Sequence, residues 1–248
     1  MVLSAQPPPV FRNRLLAALP PEALARLWPQ LTLVELSSRQ VLCAPEQPIT
    51  AVYFPETGCV SMLAYMQDGH PTEVGHIGHD GIVGFPILLE GDRDGLETMV
   101  RHSGTAWRMG AALFREELAQ IPFLRSLLRR YALVHYEQVA RAAACNGRHG
   151  IRERLARWLL MAHDRIEGDT FPVTHEYLSI MLGVRRAGIT ETAGALHKAG
   201  IICSARGQIT VMDRLGLESA ACECYGSVRR AWDRLYGQQD KAPALVCN

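Results

Sequence analysis

The chain contains no apolar run approaching the roughly 18 residues that a membrane-spanning helix needs. Its opening, MVLSAQPPPVFRNRL, has neither the basic start nor the apolar stretch of a secretory leader, so a cytoplasmic protein is expected. No Ser/His/Asp order, phosphate-cradling glycine loop or H-E-x-x-H occurs, so an enzyme is not expected. Repeats and long low-complexity tracts are also missing. None of the seven cysteines (Cys43, Cys59, Cys145, Cys203, Cys222, Cys224, Cys247) forms a C-x-x-C pair, and no second cluster stands at zinc-ligand spacing. Only Cys222 and Cys224 are close, and alternate residues of a helix face different ways. Neither a metal nor a cofactor is therefore expected. Reduced, mostly buried thiols are one reading; a redox or metal role for Cys203 with Cys222 and Cys224 is the other.

What is present is a chain of 248 residues, 48% hydrophobic and 21% charged, long enough to bury a real core in one large domain or two ordinary ones. A net charge of +1 hides an asymmetry. Residues 1–124 hold 8 Lys+Arg against 13 Asp+Glu, and residues 125–248 hold 18 against 12. Such a split suggests that only the second half meets a polyanion.

Along the chain, NRLLAALPPEALARLWPQL (13–31) predicts two short helices broken at Pro20-Pro21. From about residue 32 to 110 the pattern changes to short apolar or alternating runs, separated by glycine, proline and aspartate, with an Asp-Gly hairpin in MQDGHP. This predicts a small antiparallel β-sandwich or barrel, closed by a helix over GAALFREELAQIP. Residues 123–147 predict one long helix. Along it Leu124, Leu128, Tyr131, His135, Gln138 and Ala142 recur at threes and fours, a seam that suits a second copy of the chain or packing on its own domain. His135 reads as a packing or hydrogen-bonding residue.

Residues 150–168 predict an amphipathic helix, and the stretch from Thr170 onwards a short strand, helix, turn, helix, hairpin and final helix. Thr174 can cap HEYLSIML, and Gly183 stands where a tight turn needs positive φ. The next helix keeps Ile189, Ala193 and Leu196 inward and turns Arg186, Thr190 and Glu191 outward, with Arg185 at its start. Arginine can bond guanine O6 and N7 together, and glutamate can accept from the cytosine amino group. IICSARGQITVM is two β-runs around an Arg-Gly turn, a wing whose Arg206 could reach a phosphate. The sequence-level expectation is a DNA-binding winged helix-turn-helix. The competing reading is a small-ligand or redox/metal sensor whose winged helix contacts protein.

The β-rich first half, the long helix and VTHEYLSIMLGVRRAGITETAGALHKAGII…GQITVMD, preceded by RERLARWLLMAHDR, together resemble the Crp/Fnr superfamily of bacterial transcription regulators over nearly the whole chain. The resemblance implies an α+β fold: a β-sandwich or double-stranded β-helix sensor-like domain (1–122), a dimerisation helix (123–147) and a winged helix-turn-helix (148–248). It further implies a homodimer on a palindromic DNA site, in contact with RNA polymerase. Arg186 matches the base-contacting arginine of that family, but Ala187 replaces the usual glutamate and Glu191 replaces the second base-reading arginine. A different half-site is implied. The cyclic-nucleotide motifs are also altered. Phe85-Pro86 follow Gly84 where glutamate holds the ribose, and Leu96-Glu97 fall where Arg-Ser holds the phosphate. Glu97 would repel that phosphate, so a cyclic-AMP response through this pocket is not expected, with Arg93 or Arg101 as substitutes. The effector stays unknown, with heme left open by His70, His76, His79 and His102.

Overall fold

The computed structural model describes residues 9–67, 69, 71–166 and 168–237. Asp68, His70 and Cys247 lie outside them.

Two short helices open the fold, α1 (Arg14–Ala17) and α2 (Pro21–Leu27). Asn13 Oδ1 accepts from the amides of Leu15 and Leu16, and Pro21 occupies the first helical position, where its missing N–H costs nothing. Seven strands come next: β1 (Thr32–Leu36), β2 (Val41–Cys43), β3 (Ala51–Pro55), β4 (Cys59–Tyr65), β5 (Pro71–Ile77), β6 (Glu97–His102) and β7 (Gly104–Gly110). They pair antiparallel into two sheets, β1-β7-β3 and β2-β6-β4-β5. Inward side chains such as Val52, Phe54, Val60 and Val100 fill the space between them. At the turn into β4, Gly58 has φ +78 and an added Cβ would stand 2.4 Å from the His102 carbonyl, so only glycine serves there. The expected α+β sandwich is thus the observed one.

Helix α3 (Ala111–Gln120) closes the sandwich, and α4 (Pro122–Arg148) runs from it. After α4 come α5 (Ile151–His163), β8 (Thr170–Pro172), α6 (His175–Leu182), α7 (Arg186–Lys198), β9 (Ile202–Ala205), β10 (Gln208–Val211), α8 (Arg214–Ala220) and α9 (Cys224–Gly237). Where one final helix was expected there are two. The second turns back along α4 with Tyr225, Val228, Ala231, Trp232 and Leu235 buried.

This return corrects the reading of the long helix. Leu124, Leu128, Tyr131, His135 and Gln138 are 0 to 4% exposed within their own chain and have no surface left to give a partner. The Tyr131 ring lies 5.7 Å from Trp232, His135 packs 5.3 Å from Phe85, and Gln138 Oε1 accepts from Trp232 Nε1 at 3.2 Å. Ala142 is half-buried. A 3.5-residue repeat marks a covered stripe without saying what covers it; here the cover is the β-sandwich domain and α9. The outward stripe is Leu133, Tyr136 and Ala140, with Leu133 and Tyr136 58% and 68% exposed.

Two buried carboxylates of the N-terminal half, Glu73 and Asp80, tie it to the C-terminal half. Asp80 Oδ2 meets Arg165 Nη2 at 2.6 Å, and Arg165 Nη1 also donates to the Met161 carbonyl at 2.9 Å. Burial opposes ionisation of Asp80, but Arg165 and neighbouring histidines overcome it and hold the carboxyl below its ordinary range. Tyr236 of α9 donates to the Asp80 carbonyl, and its ring lies under Arg14.

Burial lowers His135 to about 4, so it is neutral in the folded protein, whereas an unfolded histidine titrates near about 6.5. Between those values the unfolded chain binds more protons, so stability falls as pH drops from about 6.5 towards about 4. Urea unfolding from pH 7.5 to 4.5 checks this. Wild type should lose stability across that window and His135→Phe should lose less; equal slopes would contradict it.

Candidate nucleic-acid interface

Thr174 accepts the Tyr177 amide at 3.1 Å and starts α6. Gly183 ends it at φ +59, a left-handed turn that sends the chain into α7. Ile189, Ala193 and Leu196 of α7 are fully buried, and Gly188 allows close packing on α5, because an added Cβ would meet Ile151 at 3.0 Å. With that side anchored, Arg185, Arg186, Thr190, Glu191 and Gly194 face outward. The Arg186 side chain is 69% exposed and meets Glu176 at 3.6 Å, an exposed pair too weak to hold it away from a ligand.

The wing is β9 and β10, with β8 pairing on the far side of β10. Its tip is Arg206-Gly207, with φ of 50 and 74, the twist a two-residue hairpin needs. Arg206 is exposed.

Thr174, Arg185, Arg186, Thr190, Glu191 and Arg206 all lie at the surface, but their roles differ. The hydroxyl of Thr174 is committed to its cap. That of Thr190 donates to the Arg186 carbonyl at 3.2 Å and meets His175 Nδ1 at 3.1 Å. His175 Nε2 lies 3.2 Å from Ser204 Oγ in the wing, so one tautomer with its proton on Nδ1 satisfies the whole chain of bonds. The Ser204 amide also donates to His197 Nδ1 at 3.4 Å. His175, His197 and Ser204 therefore fix the wing against α7. Sequence reasoning passed over them because the contact joins positions far apart in the chain.

Behind this surface, the domain docks on the β2-β6-β4-β5 sheet through Glu73, whose side chain is 5% exposed. Ser61 donates to its carboxylate at 2.6 Å, Trp158 of α5 at 2.9 Å and Tyr177 of α6 at 3.3 Å, while His76 Nδ1 stands at 3.4 Å. Burial opposes the charge, but these hydrogen bonds hold Glu73 below the usual carboxylate range. The Arg101 guanidinium lies 3.2 Å from the centre of the Tyr177 ring, so this candidate phosphate partner is occupied at the domain junction. Arg93 donates to the Glu46 carbonyl at 2.9 Å. Phe85 packs against Tyr131 and His135, and Glu97 accepts from the Tyr65 hydroxyl at 2.9 Å. Burial lowers His102 to about 4 and also depresses His79.

Among the described residues, one group stands at metal-ligand spacing: Cys145, His149, Cys222 and Cys224. Cys203, half-buried in β9, is not part of it.

Residues 153–220 match the model of the Crp-like helix-turn-helix domain. No curated protein matches the chain significantly. The fold is similar to that of FixK2 from Bradyrhizobium japonicum, with a TM-score of 0.67 at 17% identity over 77% of this chain and 98% of that one. A transcriptional regulator of the CRP family from Thermus thermophilus gives 0.62 at 19% identity, over 76% and 96%. The c-di-GMP responsive global regulator CLP of Xanthomonas campestris gives 0.57 at 17%, over 77% and 98%. Residues 153–220 thus match a Crp-like helix-turn-helix domain, and the chain shares its fold with these solved regulators.

Proposed function

We propose that this chain is a sequence-specific DNA-binding regulator of transcription that acts as a homodimer on a two-fold symmetric site, without catalytic activity. One observation carries the reading. Arg185, Arg186 and Glu191 stand exposed on a helix whose opposite face is fully buried, beside a wing tipped by Arg206. Arg186 and Glu191 read base edges in the major groove, while Arg185 and Arg206 meet phosphates. Thr174 and Thr190 position that surface through their bonds. Two such surfaces pair through the outward stripe of α4, Leu133, Tyr136 and Ala140, so that two reading helices face successive turns of one duplex. The sensor half accommodates no cyclic phosphate in the usual way, because Leu96-Glu97 replace the anion-binding pair.

Arg186→Ala should weaken binding to the selected site by about 1–3 kcal/mol and relax preference at one base pair. Competition binding across single-base variants of the site checks this, and unchanged preference would remove Arg186 from the reading role. Arg206→Ala should weaken binding to every sequence and reduce the salt slope by about one charge. A loss confined to one sequence would contradict that. Tyr136→Glu should convert the dimer to monomer in sedimentation, whereas a wild type monomeric at micromolar concentration would exclude α4 pairing.

A further inference from the structure

Cys145 lies in the last turn of α4, and His149 caps that helix four residues later. The corner between α8 and α9 faces them. Because α8 stops at Ala220 and α9 begins at Cys224, Cys222 precedes the helix and its thiol converges with that of Cys224. The sequence expectation that these two face apart assumed both to be helical. Cys145 Sγ and Cys222 Sγ are 3.5 Å apart, Cys224 Sγ is 3.8 Å from His149 Nδ1, and all four donor atoms lie within 4.8 Å of one another. Cys145, Cys222 and Cys224 are 0, 6 and 2% exposed and form a buried cluster of their own, apart from the main core.

A zinc–sulfur bond of about 2.3 Å in a tetrahedron puts neighbouring sulfurs about 3.8 Å apart, close to these separations. Glu223 Oε2 sits 3.3 Å from His149 Nε2, the outer carboxylate that orients a ligating imidazole, leaving Nδ1 turned to the sulfurs. Arg154 and Arg157 of α5 are 9% and 6% exposed, and neither has a carboxylate partner among the described residues. Arg157 lines one cleft with Ala142 and Asn146 of α4, beside Cys145. Three thiolates, one neutral histidine and one divalent ion sum to a single negative charge, a counter-charge for these guanidinium groups. A disulfide is the poorer account. Its sulfurs need about 2.0 Å, and it would leave Cys224 and His149 unused. Donors this close enclose one ion and leave no space for a multi-iron cluster.

We propose that Cys145, His149, Cys222 and Cys224 bind one zinc ion that staples the start of α9 to the end of α4. Binding releases the thiol protons to solvent and closes a long loop through the winged-helix domain. Cys222 and Cys224 lie beyond the residues matched by the helix-turn-helix model, so the site belongs to the C-terminal return and not to the DNA-binding module.

The test uses the full chain, purified under reducing conditions without chelator. Elemental analysis should find about one zinc per chain in wild type and in Cys203→Ser, and less than about a tenth of that in the Cys222→Ser/Cys224→Ser double variant. Wild type stripped of metal and titrated with Co2+ should develop the thiolate charge-transfer and intense visible bands of a tetrahedral site, saturating near one equivalent and reversed by Zn2+. That spectrum decides the matter even if the variants do not fold. A weak octahedral Co2+ spectrum, bound iron, equal zinc in the double variant, or a metal-free chain holding a Cys145–Cys222 disulfide would each overturn the proposal.

Discussion

The arrangement of the two halves depends on a carboxylate that neither half could bury alone. Glu73 sits on β5 of the sandwich, and two of its hydrogen-bond donors, Trp158 and Tyr177, come from helices of the winged-helix domain. Removing either donor with the helices still in place would leave a buried charge short of a partner, a loss of about 1–3 kcal/mol. The Asp80–Arg165 pair repeats the device at the other side of the junction, and Arg101 over Tyr177 seals it. With α6 committed to the sandwich sheet, α7 and the wing are left facing solvent. The docking therefore determines which face of the helix-turn-helix is free to read DNA.

The C-terminal helix adds a second constraint. Its Trp232 and Tyr236 reach back to Gln138 and Asp80, so α9 touches both the long helix and the N-terminal domain. It covers the inward face of α4 and leaves the stripe of Leu133 and Tyr136 bare. A metal staple at its first residue would fix this return where α4 hands over to α5. Such a cross-link would add to the hydrogen bonds of Tyr225, Trp232 and Tyr236, which hold α9 against the winged-helix domain, α4 and the β-sandwich.

Much of the fold was legible in the sequence. Strand runs punctuated by glycine and proline carried the sandwich, and Thr174, Gly183 and Arg206-Gly207 marked the cap and turns of the winged helix, because these signals are local. What escaped was non-local. The seam of Leu124 to Gln138 was visible as a stripe, but its cover was chosen by α9, which lies far along the chain. The metal-ligand group escaped for the same reason: a C-x3-H on one helix and a C-x-C at a distant corner are each weak signals. Only the fold joins them. His175 likewise reads as an ordinary first-turn residue until the wing is placed beside it.

Docking, helix return and winged helix all bear on the proposed function, in which α7 and the wing read DNA in symmetric pairs. Selection of bound sites from random duplex DNA tests it most directly. Enrichment of two inverted half-sites centred about one helical turn apart, roughly 10 base pairs, is the expected result. Recovery of no sequence preference, or of a single unpaired half-site, would contradict it.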